Sequence, residues 1–147
     1  MRRAVRPEAR LEVYPEHRYG LVQFRGPIDA DDMIRLGDAL VSHPDWEPGF
    51  TEVWDILEAS VDVGPEGLRA LSEAERRWKD QLAGSRTVAV VDRPSLLVPL
   101  RFYSYMVAPL GRKITVCESP AAAAAFLGLA SLPSLLDDPS GLRSAAS

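Results

Sequence analysis

The sequence has little cysteine, no excess of basic charge and no long uninterrupted apolar run. A single cysteine, Cys117, in 147 residues excludes an internal disulfide and a multi-cysteine metal site. A formal net charge of −4 lacks the basic excess needed to neutralise phosphates, so we expect no nucleic-acid partner. The most apolar stretch, 96–110, contains two prolines and an arginine and is shorter than the roughly 20 residues of a membrane-spanning helix. We therefore expect a cytoplasmic protein without a transmembrane segment.

The sequence also lacks the patterns that usually accompany catalysis. Its two histidines, His17 and His43, lie in a turn and at a helix end, away from the predicted strand ends where chemistry is usually placed. No glycine-rich phosphate loop follows the strongest predicted strands. We therefore predict no catalytic residues, no metal site, no cofactor and no enzymatic activity.

The hydrophobic pattern predicts one domain with the order β-β-α-β-α-β-α-β-α. Period-2 alternation or short apolar runs indicate strands at 11–14, 19–24, 51–56, 87–91 and 113–117. Helical spacing, caps and helix-starting prolines indicate helices at 30–42, 65–82, 99–108 and 121–127, with Asp29 as the first N-cap and Gly84 ending the second helix. The predicted domain covers 11–129. It is preceded by a flexible N-terminus at 1–10 and followed by a partly disordered tail at 130–147, in which Leu132, Leu135 and Leu136 dock.

This order predicts an α/β fold. An N-terminal hairpin followed by strand-helix alternation calls for a five-stranded mixed, mostly parallel sheet with about four helices packed on it. The expected core combines the apolar faces of the helices with strand residues, namely Val22, Phe24, Val53, Trp54, Val88, Val90 and Val116. Cys117 is expected to be one more buried strand residue.

Several segments resemble one protein family in their order and placement. In chain order, the first three are Gly26 with 29–32, the strand 53–56 and the long helix after that strand. The other three are the strand 88–91, the run 101–103 and the alanine-rich helix that ends at Phe126-Leu127. Together they resemble the STAS/SEC14-like (SpoIIAA-like) group of small bacterial proteins, over roughly 11–129. The group is similar in fold to anti-sigma-factor antagonists and, in some members, to lipid-binding domains. The resemblance implies a STAS/SpoIIAA-like fold and a non-enzymatic regulatory or ligand-binding module.

The sequence departs from this family at one position of consequence. In the antagonists, a serine in the turn that starts the helix after the central strand is phosphorylated. The corresponding run here, 62–67, contains no serine; Ser60 lies nearby and Ser72 lies inside the predicted helix. We therefore do not expect a phosphorylation switch of that kind.

Asp55 is the first candidate site residue. It closes the predicted strand 51–56, at the edge of a parallel sheet where ligands usually bind, together with the loops after Val91 and Cys117. The simpler interpretation is a carboxylate that accepts hydrogen bonds from the following turn. A loop-based enzyme using Asp55 is the alternative.

The segment 96–110 is the second candidate, with three interpretations left open. Its apolar residues could simply be core. They could instead line a pocket for a small apolar or lipid-like ligand through Phe102, Tyr103, Tyr105 and Met106, with Arg101 at the rim for an anionic head group. They could also form a homodimer or partner surface. The sequence thus favours a protein-binding or self-associating module first, a small-ligand binder second, and an enzyme last.

Overall fold

One five-stranded sheet organises the chain. The computed structural model describes residues 8–133, and the first and last segments of the sequence, 1–7 and 134–147, lie outside the described part. The strands are β1 (Glu8–Tyr14), β2 (Tyr19–Ile28), β3 (Thr51–Val61), β4 (Thr87–Val90) and β5 (Ile114–Cys117). They lie side by side in sequence order, with β1 antiparallel to β2 and all other neighbours parallel. The predicted mixed sheet with an N-terminal hairpin is confirmed.

Four helices cover both faces of this sheet. They are α1 (Ala30–Val41), α2 (Pro65–Arg77), α3 (Pro94–Val107) and α4 (Pro120–Leu127). Because α1, α2 and α3 each connect neighbouring parallel strands, right-handed crossovers place all three on one face. That face carries the larger apolar cluster, which includes Phe24, Ile56 and Trp78. The opposite face carries a smaller cluster with Val53, to which α4 contributes Ala123.

The start of α1 follows the predicted capping chemistry. The side chain of Asp29 accepts a hydrogen bond from the backbone N–H of Asp32 at 2.9 Å, and Asp32 accepts one from the N–H of Asp29 at 3.0 Å. This reciprocal pair satisfies two donors that the first turn would otherwise leave open. Partial burial opposes ionisation of Asp32, but hydrogen bonds from Asp29 and Arg35 outweigh it and lower its pKa.

A close approach between α1 and the end of α2 fixes how these helices pack. Gly37 lies against the Trp78 ring so tightly that a Cβ at this position would be 2.2 Å from Cη2 of the indole. The Trp78 indole N–H donates to Oδ1 of Asp38 at 2.7 Å, and Arg77 donates to the same oxygen at 3.1 Å. Glycine at position 37 therefore allows the indole ring to pack directly against the backbone of α1.

The middle of the sheet differs most from the sequence-based prediction. The segment 57–61, predicted as loop, continues β3, and β2 continues through Gly26-Pro27, which was predicted to end it. Pro27 is tolerated because the described pairing of β1 with β2 ends at Arg25, so Pro27 has β3 alone as a described neighbour. β1 also begins at Glu8, earlier than the predicted position 11.

A β-bulge lies where this extension begins. Gln23 pairs with Asp55 and Arg25 pairs with Glu58, so β3 has two residues opposite the single Phe24. Because of the extra residue, even-numbered side chains of β3 face the helices before the bulge and odd-numbered ones face them after it. Glu52, Trp54 and Ile56 belong to the first group and Val61 to the second. Arg93 donates to the backbone carbonyl of Ile56 at 3.1 Å and to that of Ala59, which stabilises the bulge.

Two helix boundaries also require correction. The second helix ends at Arg77 rather than near 82, and Gly84, with φ of +74°, belongs to the turn that follows. The third helix begins at Pro94 rather than at 99, so Pro99 lies inside it. Pro94 occupies the first turn, where a missing N–H costs nothing, and this is why a segment predicted as a strand-ending loop starts a helix.

The predicted core is correct except at its edge. Val22, Phe24, Val53, Val88 and Val90 are buried, as is Cys117, and burial raises the pKa of the Cys117 thiol. Trp54 is partly buried and packs against the larger cluster, whereas Val116 is 40% exposed because β5 is the last strand of the sheet. Leu132 packs against the smaller cluster, while Leu135 and Leu136 lie outside the described residues.

Candidate functional site

A cavity of about 130 Å³ lies between the sheet, α2 and α3. Its walls are almost entirely apolar, and α3 contributes one side of it through Leu96, Pro99, Leu100 and Tyr103. Pro99 is exposed and Leu96 is half-buried, so this side of α3 borders both the cavity and the protein surface. The remaining walls are formed by Met33, Trp54, Ile56, Val61, Val63, Leu68, Leu71, Trp78, Ala89 and Ile114. Mostly apolar walls with a few polar groups are typical of small-molecule sites.

The polar lining of the cavity comes from a buried ionic cluster. Glu52 on β3 is 4% exposed and Glu75 on α2 is 5% exposed. The guanidinium of Arg112, just before β5, joins them: its Nη2 donates to Glu52 at 2.7 Å and its Nε donates to Glu75 at 2.9 Å. Arg112 also donates to the carbonyl of Ser85 at 2.9 Å and to the hydroxyl of Thr87. One buried cation thereby ties three parts of the chain together.

Two hydroxyl groups complete this cluster at the cavity surface. Thr87 donates to Oε1 of Glu52, and Tyr103 donates to Oε2 of Glu75, each at 2.5 Å. Burial, followed by the neighbouring Glu75 charge, raises the pKa of Tyr103 well above its ordinary value of 10.0. Burial also raises the pKa of Glu52; the nearby Arg112 charge acts in the opposite direction but does not cancel the effect.

The predicted site residues on α3 separate onto different faces of the helix. Tyr103 faces the cavity and bonds to Glu75. Phe102 is 55% exposed, Arg101 is exposed and Met106 is half-buried, and none of these three lines the cavity. Tyr105, at 72% exposed, also points away from it. The helix is therefore neither wholly core nor wholly pocket.

Asp55 does not lie where it was predicted. It is in the middle of β3 rather than at its carboxyl end, because the strand continues to Val61. Its Oδ2 accepts a hydrogen bond from Gln23 Nε2 at 3.1 Å, and its Oδ1 accepts one from the backbone N–H of Leu57 at 3.2 Å. The second bond supports the bulge, which resembles the turn-fixing role favoured from the sequence. Alternation with Glu52 and Trp54 places Asp55 on the opposite face of the sheet from the cavity.

Ser60 is exposed on β3, paired with Pro27, and does not lie at a helix start. The start of α2 instead borders a shallow hollow of about 420 Å³ whose lining includes four carboxylates, from Asp29, Asp31, Asp62 and Glu66. A phosphate there would meet negative charge.

The most informative residues of the site were missed from the sequence. Glu75 lies four residues after Leu71 and three before Trp78, so it occupies a position within the apolar stripe of α2. Glu52 similarly sits inside an apolar strand. A charge at a core-facing position is the signal that could have identified both, since buried carboxylates require partners.

Within 8–133, no three His, Cys, Asp or Glu side chains gather in a group that could hold a metal ion. In the same part of the chain, no helix combines the length and the apolar character needed to cross a bilayer.

The sheet order and the helix placement define an α/β protein with a SpoIIAA-like fold. A solved structure of this kind is an uncharacterised protein of the DUF3478 family from Shewanella loihica PV-4, described as having a SpoIIAA-like fold. The two chains align with a TM-score of 0.58 at 11% identity, over 86% of this chain and 98% of that one. A scan against protein-family models finds no match, and neither does a search of curated proteins. The predicted STAS/SpoIIAA-like resemblance is thus confirmed at the level of the fold.

Proposed function

We propose that this chain is a non-enzymatic binding module that takes up a small, largely apolar molecule in the cavity beneath α3. The observation that carries this proposal is the cavity itself: about 130 Å³, apolar on nearly all sides, with a buried polar cluster at one end. An engineered protein cavity of about 150 Å³ with apolar walls binds benzene, so a space of this size can hold a ligand. Of the functions considered from the sequence, small-ligand binding has the most specific structural support.

The position of α3 supports entry of a ligand. The helix provides one wall of the cavity, and Pro99 inside it cannot donate a backbone hydrogen bond, which weakens the helix at the point where it borders the cavity. Tyr103 bonds to Glu75 and holds this later part of α3 against α2. A ligand that approaches along Leu96 and Pro99 therefore meets the least constrained part of the wall.

Titration with a small apolar probe tests this proposal. Benzene or toluene added to the full chain should produce saturable shifts in amide NMR signals of residues around the cavity and a rise in the melting temperature. Ala89→Leu should abolish the response by filling the cavity, whereas Ala125→Leu, at an exposed position of α4, should leave it unchanged. Leu100→Ala should enlarge the cavity and admit a larger ring, and this provides a second test if Ala89→Leu does not fold. Absence of any saturable response in the unmodified chain would overturn the proposal.

Self-association is the second candidate function, and a specific surface favours it. Leu97, Val98, Phe102 and Tyr105 are exposed on the outer side of α3. Val98, Phe102 and Tyr105 are spaced by four and three residues, so they form one stripe, and two copies related by a two-fold axis would bring identical stripes together. Sedimentation analysis should then show a dimer that Phe102→Glu dissociates and Arg101→Glu does not. A monomer at all accessible concentrations would exclude this candidate.

The enzyme alternative centred on Asp55 has little support from the geometry. Both carboxylate oxygens of Asp55 accept hydrogen bonds from Gln23 and Leu57, and the residue lies across the sheet from the cavity. The polar groups at the cavity, Glu52 and Glu75, are bonded to Arg112. The binding module that we propose is therefore non-enzymatic.

A further inference from the structure

The polar side chains at the cavity present acceptors rather than available donors. Those with oxygen atoms are Glu52, Glu75, Thr87 and Tyr103. Trp54 and Trp78 also line the cavity, but their indole N–H groups are bonded to Glu52 and Asp38. The hydroxyl hydrogens of Thr87 and Tyr103 are already directed at the two carboxylates. Arg112, the strongest donor of the cluster, does not line the cavity and is turned towards its protein acceptors. A polar ligand group that enters the cavity must therefore be a hydrogen-bond donor.

The cluster also carries more negative than positive charge. Two carboxylates, Glu52 and Glu75, share the single guanidinium of Arg112, and all three side chains are at most 6% exposed. With both carboxylates ionised, one negative charge is uncompensated in a desolvated setting, which is energetically unfavourable. A proton or a ligand cation can remove this imbalance.

The volume of the cavity limits the size of the ligand body. At about 130 Å³ it is slightly smaller than the engineered cavity of about 150 Å³ that holds benzene. One six-membered ring, or an alkyl chain of similar volume, therefore fills it. Larger lipids would have to leave most of their length outside.

We infer that the cavity selects a small primary amine, with an apolar body of about one ring and an ammonium group that donates to Glu52 and Glu75. This inference rests on the proposed function and specifies its ligand. The ammonium group supplies both the missing hydrogens and the missing positive charge. An alcohol of the same shape supplies hydrogens alone, and a carboxylate adds a second uncompensated negative charge.

A proton on Glu52 competes with the amine, because either one neutralises the excess negative charge of the cluster. The charged and titratable groups around Glu52 are Arg112 before β5, Glu75 on α2 and Tyr103 on α3. Burial raises the pKa of Glu52, so its carboxyl is neutral over a wider pH range than that of an exposed glutamate. Amine affinity should therefore increase as pH rises through the pKa of Glu52, until the amine itself loses its proton. Affinity for an uncharged ring should change much less.

Calorimetric titration of the full chain with four matched probes tests the inference. The probes are benzylamine, benzyl alcohol, toluene and benzoate, which share a ring and differ in charge and hydrogen-bond donors. We expect benzylamine to bind about tenfold or more tightly than toluene near neutral pH, as a charge-assisted hydrogen bond allows, and benzoate not to bind. Glu52→Gln should remove the preference for the amine while toluene binding persists.

The outcomes separate this inference from the function on which it rests. If toluene binds as tightly as benzylamine, or benzoate binds more tightly, the amine assignment is wrong and the binding module stands. If no probe binds, the proposed function itself fails. Should Glu52→Gln not fold, the unmodified chain gives an independent test: benzylamine affinity must increase more than toluene affinity as pH is raised above the ordinary glutamate pKa of 4.5 and through the raised pKa of Glu52.

Discussion

The Tyr103 hydroxyl donates a hydrogen bond of 2.5 Å to Oε2 of Glu75, and this contact joins α3 to α2 at the wall of the cavity. Oε1 of the same carboxylate is held by Arg112 at 2.9 Å. The position of the cavity wall is thus coupled to a buried charge network. The stability of the domain and its capacity to bind a ligand should respond to the same residues.

Tyr103→Phe should destabilise the domain by roughly 1.5–3 kcal/mol, because a buried carboxylate loses a charge-assisted hydrogen bond. Urea unfolding of both proteins measures this loss. Tyr105→Phe is the matched control on the same helix; its side chain is 72% exposed, and it should change stability by less than about 0.5 kcal/mol. Equal effects of the two substitutions would contradict a structural role for the Tyr103 hydroxyl.

Arg112→Met should destabilise the domain by roughly 3–5 kcal/mol, since it leaves Glu52 and Glu75 buried without their cation. Denaturant unfolding measures the change. Arg101→Met removes an exposed arginine and should have little effect. A loss for Arg112→Met as small as that of the control would show that the cluster is not buried as described.

The raised pKa of Glu52 predicts a specific pH dependence of stability. The folded state holds the proton of Glu52 more tightly than the unfolded chain does, and this difference stabilises the fold. The stabilisation is fully present below the ordinary pKa of 4.5 and is lost as pH rises through the raised pKa of the folded state. The free energy of unfolding should therefore decline over this range relative to Glu52→Gln, in which the group cannot titrate. Glu73→Gln, at an exposed position of α2, should retain the pH profile of the unmodified protein. Parallel profiles for the unmodified protein and Glu52→Gln would contradict the shift.

Gly37→Ala should destabilise the domain by roughly 1–3 kcal/mol, although alanine is intrinsically the better helix former by about 1 kcal/mol. The added Cβ would lie 2.2 Å from the Trp78 ring, so one of the helices must move. Thermal or urea unfolding measures the effect. In a Trp78→Leu background the same substitution should no longer be destabilising, and a persistent loss there would point to another cause.

The parts of the fold that local rules control were predictable from the sequence. Asp29 before an apolar helical stripe indicated the first N-cap, and the alanine-rich run 121–127 indicated the last helix. The buried valines of β4 indicated a central strand. Each of these signals depends on a few neighbouring residues and needs no information about distant ones.

The extension of β3 and the charged cluster depend on partners far along the chain. Residues 57–61 were predicted as loop because the bulge breaks their alternation with the first half of the strand, and the bulge itself is held by Arg93, more than thirty residues away. The domain can bury three charged side chains because they form ion pairs with one another: Arg112 with Glu52 and Arg112 with Glu75. Tyr103 was predicted at the pocket, but its bond to Glu75 could not have been inferred from local pattern.

The bulge in β3 also constrains how this protein can tolerate insertions and deletions. Removing one of the two residues between Asp55 and Glu58 would restore a regular strand in which Ala59 and Val61 still face the helices, because the bulge holds one residue more than regular alternation needs. Removing one residue between Glu52 and Asp55 would instead exchange the faces of the side chains that follow, and it would place Glu58 and Ser60 beside the cavity. A deletion in β3 should therefore be tolerated at the bulge and be damaging before it.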